Sequence, residues 1–208
     1  ILMAGYQVPA GSDPDFAPIL VLAQVLGSAP SGRLYQALVE TKRAAAVWSN
    51  TYQLYQPSLL LAGAQLRRED TLAVAQAAFL AALDSASQRP PTEEEVARAK
   101  QTILKNIELS LTQTDAVGVA LSEWASRGDW RLIFINRDRV RAVTPADVQR
   151  VAAAYLKPSN RTLGTFLPTE KPDRAEIPAT PDWTPVVTAY RGDTAVALSG
   201  LHRAIAGT

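Results

Sequence analysis

The spacing of apolar positions changes along the chain, and each change marks an element. Ile1 to Val8 is an apolar run ending in Pro9-Ala10-Gly11, which predicts a short strand entering a turn. Asp13 as N-cap, Pro14 at the first helical position and Asp15 behind it predict a helix start. Phe16, Ile19, Leu20, Ala23 and Leu26 then share one face until Gly27, with Pro18 expected to distort the first turn. Ser31 is placed to cap a second short helix that buries Leu34, Ala37 and Leu38 and closes near the basic pair Lys42-Arg43. Ala44 to Gln53 alternates, with Val47, Ser49, Thr51 and Gln53 on one side and Trp48, Tyr52 and Leu54 towards the other. Leu59 to Leu66 is more continuously apolar, and a connection around Tyr55-Gln56-Pro57 makes the two an antiparallel hairpin.

From Asp70 the period becomes helical, with Leu72, Ala75, Phe79, Leu80 and Leu83 facing a core until Pro90-Pro91. Thr92 with Glu95 three residues on is a capping box, and Val96, Ile103, Leu104, Ile107 and Leu111 continue its helix. Asp115 to Arg127 predicts another helix ending at Gly128, and Trp130 to Ile135 is apolar without a clear period. Thr144-Pro145-Ala146-Asp147 starts a last helix carrying Val148, Val151 and Tyr155, which Pro158 stops. Arg161 to Leu167 is a closing strand. The order predicts an α+β fold, a mostly antiparallel sheet covered by helices.

Beyond residue 167 the pattern fades. Pro168, Pro172, Pro178, Pro181 and Pro185 exclude a core strand and predict a linker or arm over 168–208, in which Val186 to Ser199 is too sparse in apolar residues to form a domain. The expected organisation is a module over 1–167 and this arm.

Composition narrows the chemistry. With 21 Lys plus Arg against 20 Asp plus Glu, the net charge of +1 excludes binding dominated by bulk charge, and 47% apolar content fits a globular chain. There is no Cys and only one His, His202 near the C-terminus, so neither a His/Cys zinc site nor thiol catalysis can be assembled. The longest near-apolar run, Ala17 to Leu26, contains Pro18 and Gln24 and is too short to span a bilayer. The sequence opens at Ile1 without Met or a basic leader, which leads to the expectation of a segment cut from something longer.

Several patterns imitate functional motifs. Gly27-Ser28-Ala29-Pro30-Ser31-Gly32-Arg33-Leu34 has the glycine spacing of a phosphate loop, but it lacks the terminal Lys and lies between helices, so it is read as a turn. Glu93-Glu94-Glu95 suits a helix first turn better than a cation site. Arg127, Arg131, Arg137, Arg139 and Arg141, interleaved with Trp130 and Phe134 and diluted by Asp129 and Asp138, read as a solvated face or partner contact rather than a nucleic-acid footprint. Trp48, Tyr52 and Tyr55 are read as cross-strand aromatics, with ligand contact as the minority alternative.

The segment Gly27 to Glu40, preceded by Ala10-Gly11-Ser12-Asp13-Pro14-Asp15, resembles the pitrilysin or insulinase family of zinc metallopeptidases, specifically their non-catalytic, C-terminal module. The resemblance continues through Lys105 to Leu111, the Thr144-Pro145-Ala146-Asp147-Val148 start and the Leu156-Lys157-Pro158-Ser159-Asn160-Arg161 turn, covering about Ile1 to Leu167. It implies an antiparallel sheet covered by helices, several such modules enclosing a chamber, and a zinc site of His-x-x-Glu-His type on another module. That motif is absent here, so the resemblance implies no catalytic and no metal-ligating residue in this chain. Some members supply an Arg and, seven residues on, a Tyr that help bind substrate; the matching positions are Val39 and Ala46, which can offer neither a charge nor a phenol. The tail from Pro168 is similar to the connector between halves of long bacterial members.

The function implied is a chamber-forming, peptide-contacting module of a bacterial zinc protease. Its expected partners are a zinc-bearing module, in the same protein or another subunit, and a peptide substrate, with neither nucleic acid nor a membrane span, in a periplasmic or exported location. The alternatives are an inactive assembly scaffold of the same fold, like the core subunits of respiratory complexes, and a freestanding peptide-binding module.

Overall fold

The structure is a computed structural model that describes residues 1–67 and 71–192. The chain divides into two units, Ile1–Leu167 and Pro168–Thr208. The first contains four strands: β1 (Leu2–Val8), β2 (Ala46–Tyr52), β3 (Ser58–Gln65) and β4 (Arg161–Thr165). They form one sheet of order β2-β3-β1-β4 in which every pairing is antiparallel. β1 is central in space although first in sequence, pairing Met3 with Gly63 on one side and with Gly164 on the other. β4 therefore closes the sheet only after the chain has passed through every helix of the unit.

Those helices are α1 (Phe16–Gly27), α2 (Leu72–Gln88), α3 (Glu93–Thr112), α4 (Thr114–Ser126), α5 (Leu132–Ala142) and α6 (Pro145–Tyr155). α1 is the central one. Phe16, Ile19, Val21 and Leu26 are fully enclosed, because α1 lies between the sheet and the outer helices. Leu2, Ala4, Tyr6, Leu60, Ala62 and Ala64 supply the facing side of the sheet. Burial along β1 alternates strictly, which is the period-2 signature of a sheet with one covered face.

Several expected boundaries move. α1 begins at Phe16 rather than Pro14, because the Asp13 carboxylate accepts the Asp15 backbone N–H at 2.8 Å and fixes a turn before the helix. Pro18 then falls in the first turn, where its missing N–H would have had no helical partner, so no distortion results. In place of a Ser31-capped helix there is a π-helical turn, Tyr35–Val39, that buries Leu34 and Leu38. The helix expected from Asp70 starts at Leu72 in the described residues; Asp70 itself lies outside them. Trp130 to Ile135, left without a type by its period, leads into and begins α5.

Both capping boxes form. Thr92 accepts the Glu95 N–H at 3.1 Å while the Glu95 carboxylate accepts the Thr92 N–H at 2.7 Å. Thr144 and Asp147 repeat the arrangement at α6. In the second unit, α7 (Thr184–Ala189) is a short exposed helix within the Pro-rich stretch. The remainder of Val186 to Ser199 beyond residue 192 lies outside the described residues, as does His202.

Candidate functional site

All six helices of the first unit leave one face of the sheet uncovered, and β-alternation decides which side chains stand on it. On β1 these are Met3, Gly5 and Gln7; on β3, Leu59, Leu61, Gly63 and Gln65; on β2, Ala46, Trp48, Asn50 and Tyr52; on β4, Thr162 and Gly164. Met3, Leu59 and Tyr52 are each two-fifths or more exposed, whereas Leu2 and Ala4 beside Met3 and Ser58 and Leu60 beside Leu59 are enclosed. Among the described residues no acidic or basic side chain of the four strands projects from this face. In a chain where charged residues make up 20%, that is the feature that distinguishes the surface.

Two kinds of position shape it. At Gly63 a Cβ would stand 2.1 Å from the Trp48 ring, so the indole lies flat on the glycine and raises a ridge along the β2–β3 pair. On β1 and β4 the outward Gly5 and Gly164 carry no side chain, and a groove of about 560 Å³ runs between Met3, Gly5, Leu59 and Leu61 and the end of the sheet at Asn160–Gly164. The Asn160 amide closes that end by donating to the carbonyls of Gln7 and Tyr155, both at 2.9 Å.

Arg161 is the one charged residue at the groove, and its charge is directed to the opposite face. Its guanidinium bonds Asp84 Oδ1 of α2 at 2.7 Å and the Tyr6 hydroxyl at 3.4 Å. The Tyr6 bond, ahead of Asp84, holds the Arg161 guanidinium above its ordinary value. Burial pushes the Tyr6 phenol up, with the neighbouring guanidinium opposing it. This cluster ties β4 to β1 and α2 and leaves the open face neutral.

The positions singled out by sequence separate cleanly. Val39 ends the π-helical turn and packs against the core, while Ala46 opens β2 opposite Gln65 on the open face. Gly27 ends α1 and a turn follows it; a Cβ on Gly27 would stand 2.3 Å from the Ser49 backbone nitrogen, so that glycine serves close helix–sheet packing. Glu95 is bound at 2.8 and 2.9 Å by Arg33, whose guanidinium also donates to the carbonyls of Arg89 and Pro90. Glu93 and Glu94 occupy the first turn of α3, with Glu94 paired to Arg98.

Each member of the basic stretch has a partner. Arg127 stacks on Trp124 and reaches Glu123, and Arg131 holds the exposed Asp129 carboxyl down to about 2. Arg137 and Arg141 share Asp138, and Arg139 donates to the Ser12 carbonyl. Tyr55 lies at the tip of the hairpin, its ring 3.7 Å from where a Cβ on Gly128 would stand. Among the described residues no group of three or more His, Cys, Asp or Glu side chains is placed to hold a metal ion. No helix among them is long and apolar enough to cross a membrane.

A family model described as the peptidase M16 inactive domain matches residues 1–103. The inactive peptidase domain of a candidate zinc protease from Bordetella parapertussis is 45% identical, covering 85% of this chain and 94% of its own, at a TM-score of 0.77. The chain belongs to the peptidase M16 inactive-domain family. It is thus the non-catalytic module of the pitrilysin-type zinc metallopeptidases, with their α+β fold. A candidate zinc protease from Bordetella pertussis Tohama I is similar at 42% identity over 81% of this chain and 93% of its own, at a TM-score of 0.75. The periplasmic protease PqqL from Escherichia coli shares the fold at 14% identity and a TM-score of 0.59, covering 81% of this chain and 19% of that one. A comparison with curated proteins finds no match.

The open face itself was missed at the level of sequence, although its signal is present. β1, β2 and β3 together contain no charged residue, and Gly5, Gly63 and Gly164 all fall at outward positions of the register.

Proposed function

We propose that this M16 module forms one wall of a chamber in a bacterial zinc protease and presents its open sheet face to an extended peptide. The observation that carries the reading is the uncovered face, with Met3, Leu59 and Tyr52 exposed and no charged side chain among the outward residues of its strands, which a solvated monomer has no reason to keep free of charge. The metal would come from a zinc-bearing module of the same protein or of a partner subunit. Val39 and Ala46 support a division of labour in which the polar substrate-binding pair is carried elsewhere. Residues 1–167 would be the module, and 168–208 the connector or arm. A periplasmic or exported location is supported by the shared fold of the periplasmic protease PqqL from Escherichia coli.

Reconstitution tests this. The chain alone is expected to bind no stoichiometric zinc and to cleave no peptide, whereas addition of the zinc-bearing module that accompanies it produces chelator-sensitive cleavage. Leu61→Lys on the open face is expected to lower that cleavage while leaving the fold intact. Stoichiometric zinc and peptidase activity in the isolated chain would overturn the proposal. Complexes that assemble without any His-x-x-Glu-His module would replace it with the scaffold reading.

A further inference from the structure

The groove over β1 and β4 has a shape and a polarity that specify more than peptide contact. Gly5 pairs with Thr162 and Met3 pairs with Gly164, so the two glycines sit diagonally across neighbouring strands. Together they lower the floor between the side chains of Met3, Leu59 and Leu61. At Gly164 the space is open, since an added Cβ would have only the Met3 carbonyl oxygen near it, at 3.9 Å. At Gly5 the floor is bounded by Leu61, whose Cδ2 would stand 3.0 Å from an added Cβ. The result is a trench with apolar sides, and its volume of about 560 Å³ exceeds what one large side chain fills.

Its polar groups are all neutral or already engaged. Gln7 and Thr162 are uncharged, the Asn160 amide is held by two carbonyls, and the Arg161 guanidinium is bound to Asp84 on the other face. A charged side chain laid into the trench would lose water and meet no counter-charge, which is unfavourable whichever its sign. An aromatic or branched aliphatic side chain would exchange water for Met3, Leu59 and Leu61.

We propose that the trench floored by Gly5 and Gly164 seats a bulky apolar side chain of an extended substrate peptide, and that the surrounding face selects against segments bearing charged side chains. The inference deepens the peptide-wall reading and rests on it. Gly164 is the specificity-determining position, because its missing side chain is what opens the trench. Met3 and Leu61 form the walls.

The test uses the full chain and three fluorescently labelled extended peptides of equal length: one uncharged with a central Phe, one with Lys in place of Phe, and one with Glu there. The uncharged peptide is expected to bind about tenfold or more tightly than either charged one by anisotropy. Gly164→Leu, which has room for its side chain, is expected to weaken the Phe peptide about tenfold without moving the unfolding midpoint. Thr162→Glu adds a carboxylate beside the trench and is expected to raise affinity for the Lys peptide alone, which tests the inference independently of whether Gly164→Leu folds. Equal binding of the three peptides, or a Gly164→Leu variant that folds and binds the Phe peptide as the parent does, would overturn the trench while leaving peptide contact standing. Failure of the parent chain to bind any of them would overturn peptide contact itself, and the trench with it.

Discussion

Single atoms decide several positions in this module. Gly27 lets α1 approach β2 so closely that Gly27→Ala is expected to cost about 1–3 kcal/mol by overpacking against the Ser49 backbone. Gly118, in the middle of α4 with nothing within 4 Å of an added Cβ, is the control: Gly118→Ala is expected to stabilise by about 1 kcal/mol. Denaturant titration of both variants checks the contrast. Glu95 is the residue where two roles meet, since its carboxylate completes the capping box and accepts from Arg33. The Arg33 bond, ahead of the Thr92 N–H, holds the Glu95 carboxyl below its ordinary 4.5. Arg150 does the same for Asp15, and the Thr144 hydroxyl for Asp147. A carboxyl depressed by folding contributes stability that is complete above its unfolded value and is lost as pH falls through the folded one. Unfolding free energy is therefore expected to decline as pH drops below about 4.5, and Glu95→Gln to reduce that slope. An acid titration of stability with an unchanged slope in Glu95→Gln would show that the pair contributes nothing.

At the scale of elements, local chemistry was legible wherever a helix end is built from its own neighbours. Thr92 with Glu95 and Thr144 with Asp147 form the boxes their spacing predicts, and Thr92→Ala is expected to cost about 1 kcal/mol, read by thermal unfolding. Legibility failed where a side chain takes a partner that the apolar period does not record, whether two residues away or sixty-two. The start of α1 moved because the Asp13 side chain caps a turn instead of the helix. The turn after Ser31 became π-helical where Leu34 and Leu38 are both drawn into the core and Arg33 is anchored across 62 residues to Glu95. Trp130 to Ile135 gave no period because Trp130 precedes the helix and packs edge-on against Phe134, so its apolar surface belongs to a ring pair rather than to a stripe.

For the molecule as a whole, the buried cluster draws every described member from residues before Leu167, which makes the first unit the source of cooperativity. A chain ending at Leu167 is expected to keep its near-ultraviolet circular dichroism and to unfold in one transition at a closely similar midpoint; loss of that transition would show that residues 168–208 are needed for folding. The α+β class, the hairpin and the order of elements were settled by residue type and local spacing, because those depend on neighbours within a few positions. The family was readable from short segments dispersed over the same stretch. Which sheet face stays open was not, since Met3 and Leu59 are as apolar as the enclosed Leu2 and Leu60 beside them. Only register and the packing of six helices on one side distinguish them. The same holds for the diagonal of Gly5 and Gly164, residues 159 positions apart that become neighbours when β4 returns to β1, because strand pairing acts at a distance that sequence spacing does not record.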